Sequence, residues 1–142
     1  MTTVRFHLIS ALSPAEVMDV LTDFGPTRTE VWPTIDAEHF VVHNRGEGWA
    51  EVTEGTEAAW ERARYDWDPA GDTVTVTTLD SKVFGPGGGW IFRTTPEPEG
   101  TRVEVELTRD PQAFKGKVIA ALLPLIGPAT LRKGLQKPLQ AK

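Results

Sequence analysis

His43 and Tyr65, the latter the only tyrosine in the chain, are the side chains best suited to exchange a proton. Such a pair could orient a ligand oxygen or do acid–base work on an enolisable carbonyl. The simpler reading makes each a hydrogen-bonded polar group tied down in the interior, as buried polar groups normally are. His39 and His43 have the spacing of two metal ligands on a helix, but their surroundings read as strand. Four residues of strand span about 13 Å, whereas ligand nitrogens lie near ~2.1 Å from a shared ion, so no metal is expected. Ser10, Ser13 and Ser81 are the only serines, and none sits in a Gly-x-Ser-x-Gly elbow. Cysteine is absent, which excludes thiol catalysis, disulfides and thiolate metal sites. The glycines at 85 and 87–89 lack the Lys-Ser/Thr of a phosphate loop, and no cofactor is implied. They read as a flexible loop between two strands, with Gly87, Gly88, Gly89, Trp32 and Phe84 as a candidate gate should the interior be hollow.

These residues are positioned by a strand-rich chain of 142 residues, long enough for one domain with a real core. Val4, Phe6 and Leu8 alternate with Arg5 and His7 in a half-buried first strand. Ser13-Pro-Ala-Glu16 then opens a helix with an N-cap serine, a first-turn proline and a capping-box glutamate. Its apolar face runs from Val17 to Phe24, Gly25-Pro26 ends it, and Thr27 to Trp32 forms a further short helical piece stopped at Pro33. From His39 to Arg109, strands are separated by turn-rich stretches, giving an antiparallel meander of about six strands. Alternation turns Ala63, Tyr65 and Trp67 inward, with Val74 and Val76, then Trp90, Phe92 and Thr94, then Val103, Val105 and Leu107. Around Arg45, an even-length turn at Gly46-Glu47 puts Val41, His43, Ala50 and Val52 on the inner face and Val42 and Glu51 outside. Trp49 and Trp60 read as core or surface filler.

The C-terminal stretch Phe114–Leu139 is expected to form one long helix. Phe114, Val118, Leu122, Ile126 and Ala129 share a broad apolar face, and Leu131, Leu135 and Leu139 continue it out of phase. The change of phase at Pro124, Gly127 and Pro128 predicts a kink that wraps the helix around something. The run Val118–Leu131 is too short, and too broken by proline, for the ~20 apolar residues of a membrane span. The net charge of −5 argues against nucleic acid as partner. After Pro111 there are six basic residues and no acidic one, which leaves nine basic against twenty acidic residues before it. A basic helix packed over an acidic sheet explains this most simply, and docking of that helix on anionic lipid is the sharper alternative. No signal peptide is visible, so a cytoplasmic location is expected. Monomer and dimer both remain open.

This order of strand, capped helix, short helical piece, six-strand meander and long C-terminal helix resembles the START-like superfamily (SRPBCC). Within it the sequence is similar to the bacterial branch named for polyketide cyclases, dehydrases and lipid transport proteins. The residues that carry the resemblance are Val4–Ser10 with Ser13–Glu16, Arg64–Pro69, Leu79–Trp90 and Lys115–Leu131. It implies an α+β helix-grip fold, with a curved antiparallel sheet of about seven strands gripping a long kinked C-terminal helix and one or two short helices after the first strand. A cavity between sheet and helix would hold an apolar ligand, lined by His43, Tyr65, Trp67, Val76, Trp90, Phe92 and Val105 from the strands and by Val118, Leu122 and Ile126 from the helix. The superfamily contains enzymes, carriers and receptors without a shared catalytic motif, so it implies no catalytic residue. The first expectation is a non-catalytic carrier or sensor of a lipid or polyketide. The alternatives are a polyketide cyclase or dehydratase using His43 with Tyr65, and a ligand-free interaction protein whose Leu131, Leu135, Leu139 stripe packs on a partner.

Overall fold

Period-two alternation builds the sheet. In β1 (Thr2–Ser10), Phe6 and Leu8 are buried between exposed Arg5 and His7. In β4 (Glu61–Trp67) the buried residues are Ala63 and Tyr65, and in β5 (Thr73–Ser81) Val74, Val76 and Thr78. In β6 (Gly89–Glu97) they are Phe92 and Thr94, and in β7 (Gly100–Arg109) Val103, Val105 and Leu107. Each set lies on the face the alternation predicts. The computed structural model describes residues 2–109 and 128–141. Together with β2 (Val41–Gly46) and β3 (Trp49–Glu54), these strands form a seven-stranded antiparallel sheet in the order β1-β7-β6-β5-β4-β3-β2. The meander β2 to β7 is thus closed by β1, which pairs with β7 from Thr2↔Arg109 to Ser10↔Thr101.

The helices follow local signals. α1 (Pro14–Leu21) carries the expected capping box: Ser13 Oγ accepts from Glu16 N–H, and Glu16 Oε1 accepts from Ser13 N–H. Val17 and Leu21 are buried as α1 packs over β5, β6 and β7, a burial worth about 1.5–3 kcal/mol for each side chain. α1 stops at Leu21, before Gly25-Pro26, with Thr22 as its C-cap giving both its N–H, at 3.0 Å, and its hydroxyl, at 2.7 Å, to Met18 O. Phe24 is buried from the following loop. α2 (Arg28–Val31) is the expected short helical piece, and a 3₁₀ turn at Ala37–His39 precedes β2.

The β2–β3 hairpin corrects one expectation. Its turn is Glu47-Gly48, closed by Gly46↔Trp49, and a bulge at His43 shifts the register between Val42↔Val52 and Asn44↔Glu51. The extra residue reverses the faces beyond it. Val42 packs against the core opposite Val52, whereas Val41 and His43 face solvent. His43 Nε2 is 2.7 Å from Thr53 Oγ1, and His39 belongs to the 3₁₀ turn, with its ring 2.7 Å from Asp36.

At the C-terminus α3 is described over Pro128–Gln136. The expected kink at Pro124 and Gly127, and the inward residues Val118, Leu122 and Ile126, lie outside the described residues. The leucine stripe packs on the chain's own core. Leu135 and Leu139 are buried and Leu131 packs partly buried against the same core, which weakens the case for an interaction protein. The chain end is tied to β1: Ser10 Oγ donates to Leu139 O, Ala11 N–H donates to Gln140 O at 3.2 Å, and Ser10 bridges Ala141. Arg132 lies over the Phe6 ring at 5.6 Å and donates to His7 O, while Lys137 donates to Glu30 O.

Candidate functional site

The inner faces of β3, β4, β6 and β7 do not close on one another. Together with the α2 segment, the Ser81–Phe84 turn and α3 they line a partly open pocket of about 300 Å³. Its apolar wall comes from Trp32, Ile35, Trp60, Phe84, Trp90, Phe92, Leu107, Leu131 and Leu135. Trp90 and Phe92 stack in parallel at 5.8 Å.

Two ion pairs are set into this wall. In the first, Arg28 Nε and Nη2 donate to the Glu54 carboxylate at 3.2 and 3.3 Å, and Nη2 also donates to Tyr65 Oη at 3.0 Å. Tyr65 Oη in turn donates to Glu54 Oε1, and Arg28 Nη1 donates to the carbonyls of Leu21 and Asp23. Arg28 is 2% exposed and stacks near Phe24, Trp32 and Tyr65 at 4.6–5.3 Å. Burial works against its charge, but Glu54 and Tyr65 outweigh burial and the guanidinium pKa is raised. Burial also pushes the Tyr65 phenol well above its usual value, with the Glu54 charge adding to it, so Tyr65 stays protonated.

The second pair joins Arg109 of β7 to Glu61 of β4, with Nη2 2.7 Å from Glu61 Oε2. Arg109 Nη1 donates to Thr78 Oγ1 at 2.6 Å, and Thr78 donates to the same Glu61 oxygen at 3.2 Å. Arg109 also lies 5.3 Å from the Phe84 ring centre. Burial raises the Glu61 pKa, against the opposing pull of Arg109 and with the Glu54 charge adding to the rise.

Of the residues expected from sequence, Tyr65, Trp90, Phe92, Trp32 and Phe84 line the cavity. Trp67, Val76 and Val105 belong to the packed core beside it, Trp67 lying 6.0 Å from Phe24. His43 is outside on the solvent face, so it does not form a proton-transfer pair with Tyr65, whose hydroxyl is already engaged by Arg28 and Glu54. The enzymatic alternative thereby loses the pair nominated for it. Trp60, read as filler, is part of the wall.

Nor are the gate glycines there to loosen a loop. Gly87 N–H donates to Thr78 O and Thr78 N–H to Gly88 O, both at 3.1 Å. Gly88 has φ +73°, and a Cβ there would come within 2.1 Å of Thr108 O. A Cβ on Gly89 would come within 1.9 Å of Val76 O. These glycines serve a close backbone approach between β5, β6 and β7.

Sequence reasoning missed Arg28, Glu54, Glu61 and Arg109. Three of them were within its reach. Glu54 continues Ala50 and Val52 at period two, Glu61 precedes Ala63 and Tyr65, and Arg109 follows Val103, Val105 and Leu107. Arg28, in a helix of four residues, carries no such periodic signal.

No protein-family model and no curated protein matches this sequence. Solved structures do. A START superfamily protein from Mycobacterium smegmatis superposes with a TM-score of 0.74 at 16% identity, covering 97% of both chains. The ZhuI aromatase/cyclase from Streptomyces sp. R1128 gives 0.70 at 15% identity, covering 98% of this chain and 89% of its own. A protein of Thermus thermophilus gives 0.73 at 15% identity, covering 98% and 92%. Likeness at such identities speaks for the backbone architecture, and the expected antiparallel sheet with its C-terminal helix is present. The chain therefore has the START-like (SRPBCC) helix-grip α+β fold.

Proposed function

We propose that the protein binds one hydrophobic small molecule, a lipid or a polyketide, in the cavity between sheet and C-terminal helix, and works in the cytoplasm as its carrier or sensor. The observation that carries this is the cavity itself. About 300 Å³ of space is walled by aromatic and aliphatic side chains, and most polar groups on its wall are bonded to one another. Pockets of that size with few polar groups suit small apolar ligands. The fold likeness to a START superfamily protein and to an aromatase/cyclase supports the same reading. Entry is assigned to the side of Trp32 and Phe84, two aromatic side chains that line the cavity from the α2 segment and the Ser81–Phe84 turn.

Native mass spectrometry of the purified chain, repeated after incubation with a panel of lipids and aromatic polyketides, tests the proposal. A 1:1 adduct is expected, together with a change in the fluorescence of Trp32, Trp60 and Trp90. No adduct and no fluorescence change across the panel would refute it.

A further inference from the structure

The polar atoms of the cavity wall are not all satisfied, and one of the exceptions says which end of a ligand belongs where. Glu54 is closed: Oε1 accepts from Arg28 and Tyr65, and Oε2 accepts from Arg28 Nε. Every N–H of Arg28 is likewise engaged, by Glu54, Tyr65, Leu21 O and Asp23 O. Glu61 is half closed. Its Oε2 takes bonds from Arg109 and Thr78, while Oε1 makes no hydrogen bond among the described residues. Nor is Oε1 occluded, because the fully covered side-chain polar atom left unbonded among those residues is Arg109 Nε. The Glu61 side chain is 15% exposed and lines the cavity. A carboxylate oxygen facing a small, mostly apolar space, with its partner oxygen already committed, is an acceptor awaiting a donor.

We infer that Glu61 Oε1 is the head-group acceptor of the cavity, and that it selects an apolar ligand ending in a hydroxyl, an alcohol or phenol, over one ending in a carboxylate. This rests on the reading that the cavity takes a hydrophobic ligand. A ligand O–H donates to Oε1 and supplies the bond that burial has denied it. A ligand carboxylate would have to stand beside Glu61, with the Glu54 carboxylate also close enough to act on that site. It would find Arg28 without a free N–H, and Arg109 with its charge already met by Glu61, one N–H given to Thr78, and its unbonded Nε covered from the cavity. Burial has raised the pKa of Glu61, so its charged form gains most from an incoming donor. The charged and titratable groups that act on it are Arg109 from β7, Glu54 from β3 and Tyr65 from its own strand.

Three probes of one shape separate the outcomes: 2-naphthol, naphthalene and 2-naphthoate, with Kd read at neutral pH from tryptophan fluorescence. For the wild-type chain, 2-naphthol should bind at least about tenfold more tightly than either of the others, as a hydrogen bond to a charged group implies. In Glu61→Gln the carboxylate is gone and Arg109 loses its counter-charge, so the naphthol-to-naphthoate ratio should fall by about tenfold. In the wild type, the Glu61 carboxyl pKa, followed by NMR, should drop when 2-naphthol binds. If naphthalene, naphthol and naphthoate bind equally well, or naphthoate binds best, the assignment of Glu61 is overturned while the hydrophobic cavity stands. An unchanged ratio in Glu61→Gln overturns it as well. If none of the three binds, both readings fail together. Should Glu61→Gln not fold, the wild-type comparison and the NMR titration still decide.

Discussion

Removing Glu54 should be among the most damaging single changes to this chain. The carboxylate bonds two N–H groups of Arg28, at 3.2 and 3.3 Å, and the hydroxyl of Tyr65. Arg28 is 2% exposed, so little water reaches it in place of the carboxylate. Glu54→Ala would leave a buried cation held only by two backbone carbonyls and would orphan a buried phenol, a situation that costs about 3–5 kcal/mol. That is a large part of the ~5–15 kcal/mol that holds a typical domain together. At about 4 °C per kcal/mol for a chain of this length, Tm should fall by roughly 12–20 °C. Arg28→Met alone should be comparably harmful, because it buries an unpaired carboxylate. In the double variant neither charge is left stranded, so its loss should be smaller than the sum of the two by about 2–3 kcal/mol. Urea unfolding followed by tryptophan fluorescence gives all four stabilities, provided the m-values agree. A Glu54→Ala loss below about 1 kcal/mol, or two single losses that simply add, would refute the reasoning that this pair is interdependent and dry.

Three further predictions concern backbone, charge and the discarded candidate. Gly88→Ala should cost more than about 2 kcal/mol, the left-handed penalty plus the conflict with Thr108 O, whereas Gly85→Ala should cost only the penalty of about 1–2 kcal/mol, since nothing lies within 4 Å of its Cβ; equal losses in urea unfolding would contradict the close approach. Hydrogen bonds from Arg93 and then Arg5 hold the Glu106 carboxyl below its usual 4.5. Its stabilising contribution is therefore complete above that pH and is lost as pH falls through the lowered folded value. Glu106→Gln should flatten the acid side of the stability profile, and parallel wild-type and variant curves below pH 4.5 would rule this out. His43→Ala should leave the Kd for 2-naphthol within about twofold, because the ring lies on the solvent face bonded to Thr53; a tenfold loss, of the size of a ligand hydrogen bond, would restore it to the site.

The sequence by itself determined the faces of the regular strands and the start of α1. Side chains along a strand must alternate, so Val103, Val105 and Leu107 had one face available, and Ser13 with Glu16 satisfies helix N–H groups from neighbours in the chain. Both are local effects and need no knowledge of the partner strand. The same alternation carries Glu54, Glu61 and Arg109 inward, yet read from one strand at a time an inward charge looks like an error of register. Only the pairing of distant strands shows that Glu61 of β4 meets Arg109 of β7 and that each makes the other's burial tolerable. His43 was decided by the tertiary structure alone. One bulged residue between Val42 and Asn44 turns the ring to solvent, and a bulge is a compromise between two strands that neither strand's sequence displays. Arg28 was decided the same way: in a helix of four residues, it is the carbonyls of Leu21 and Asp23 and the carboxylate of Glu54, 26 positions away, that draw it inside.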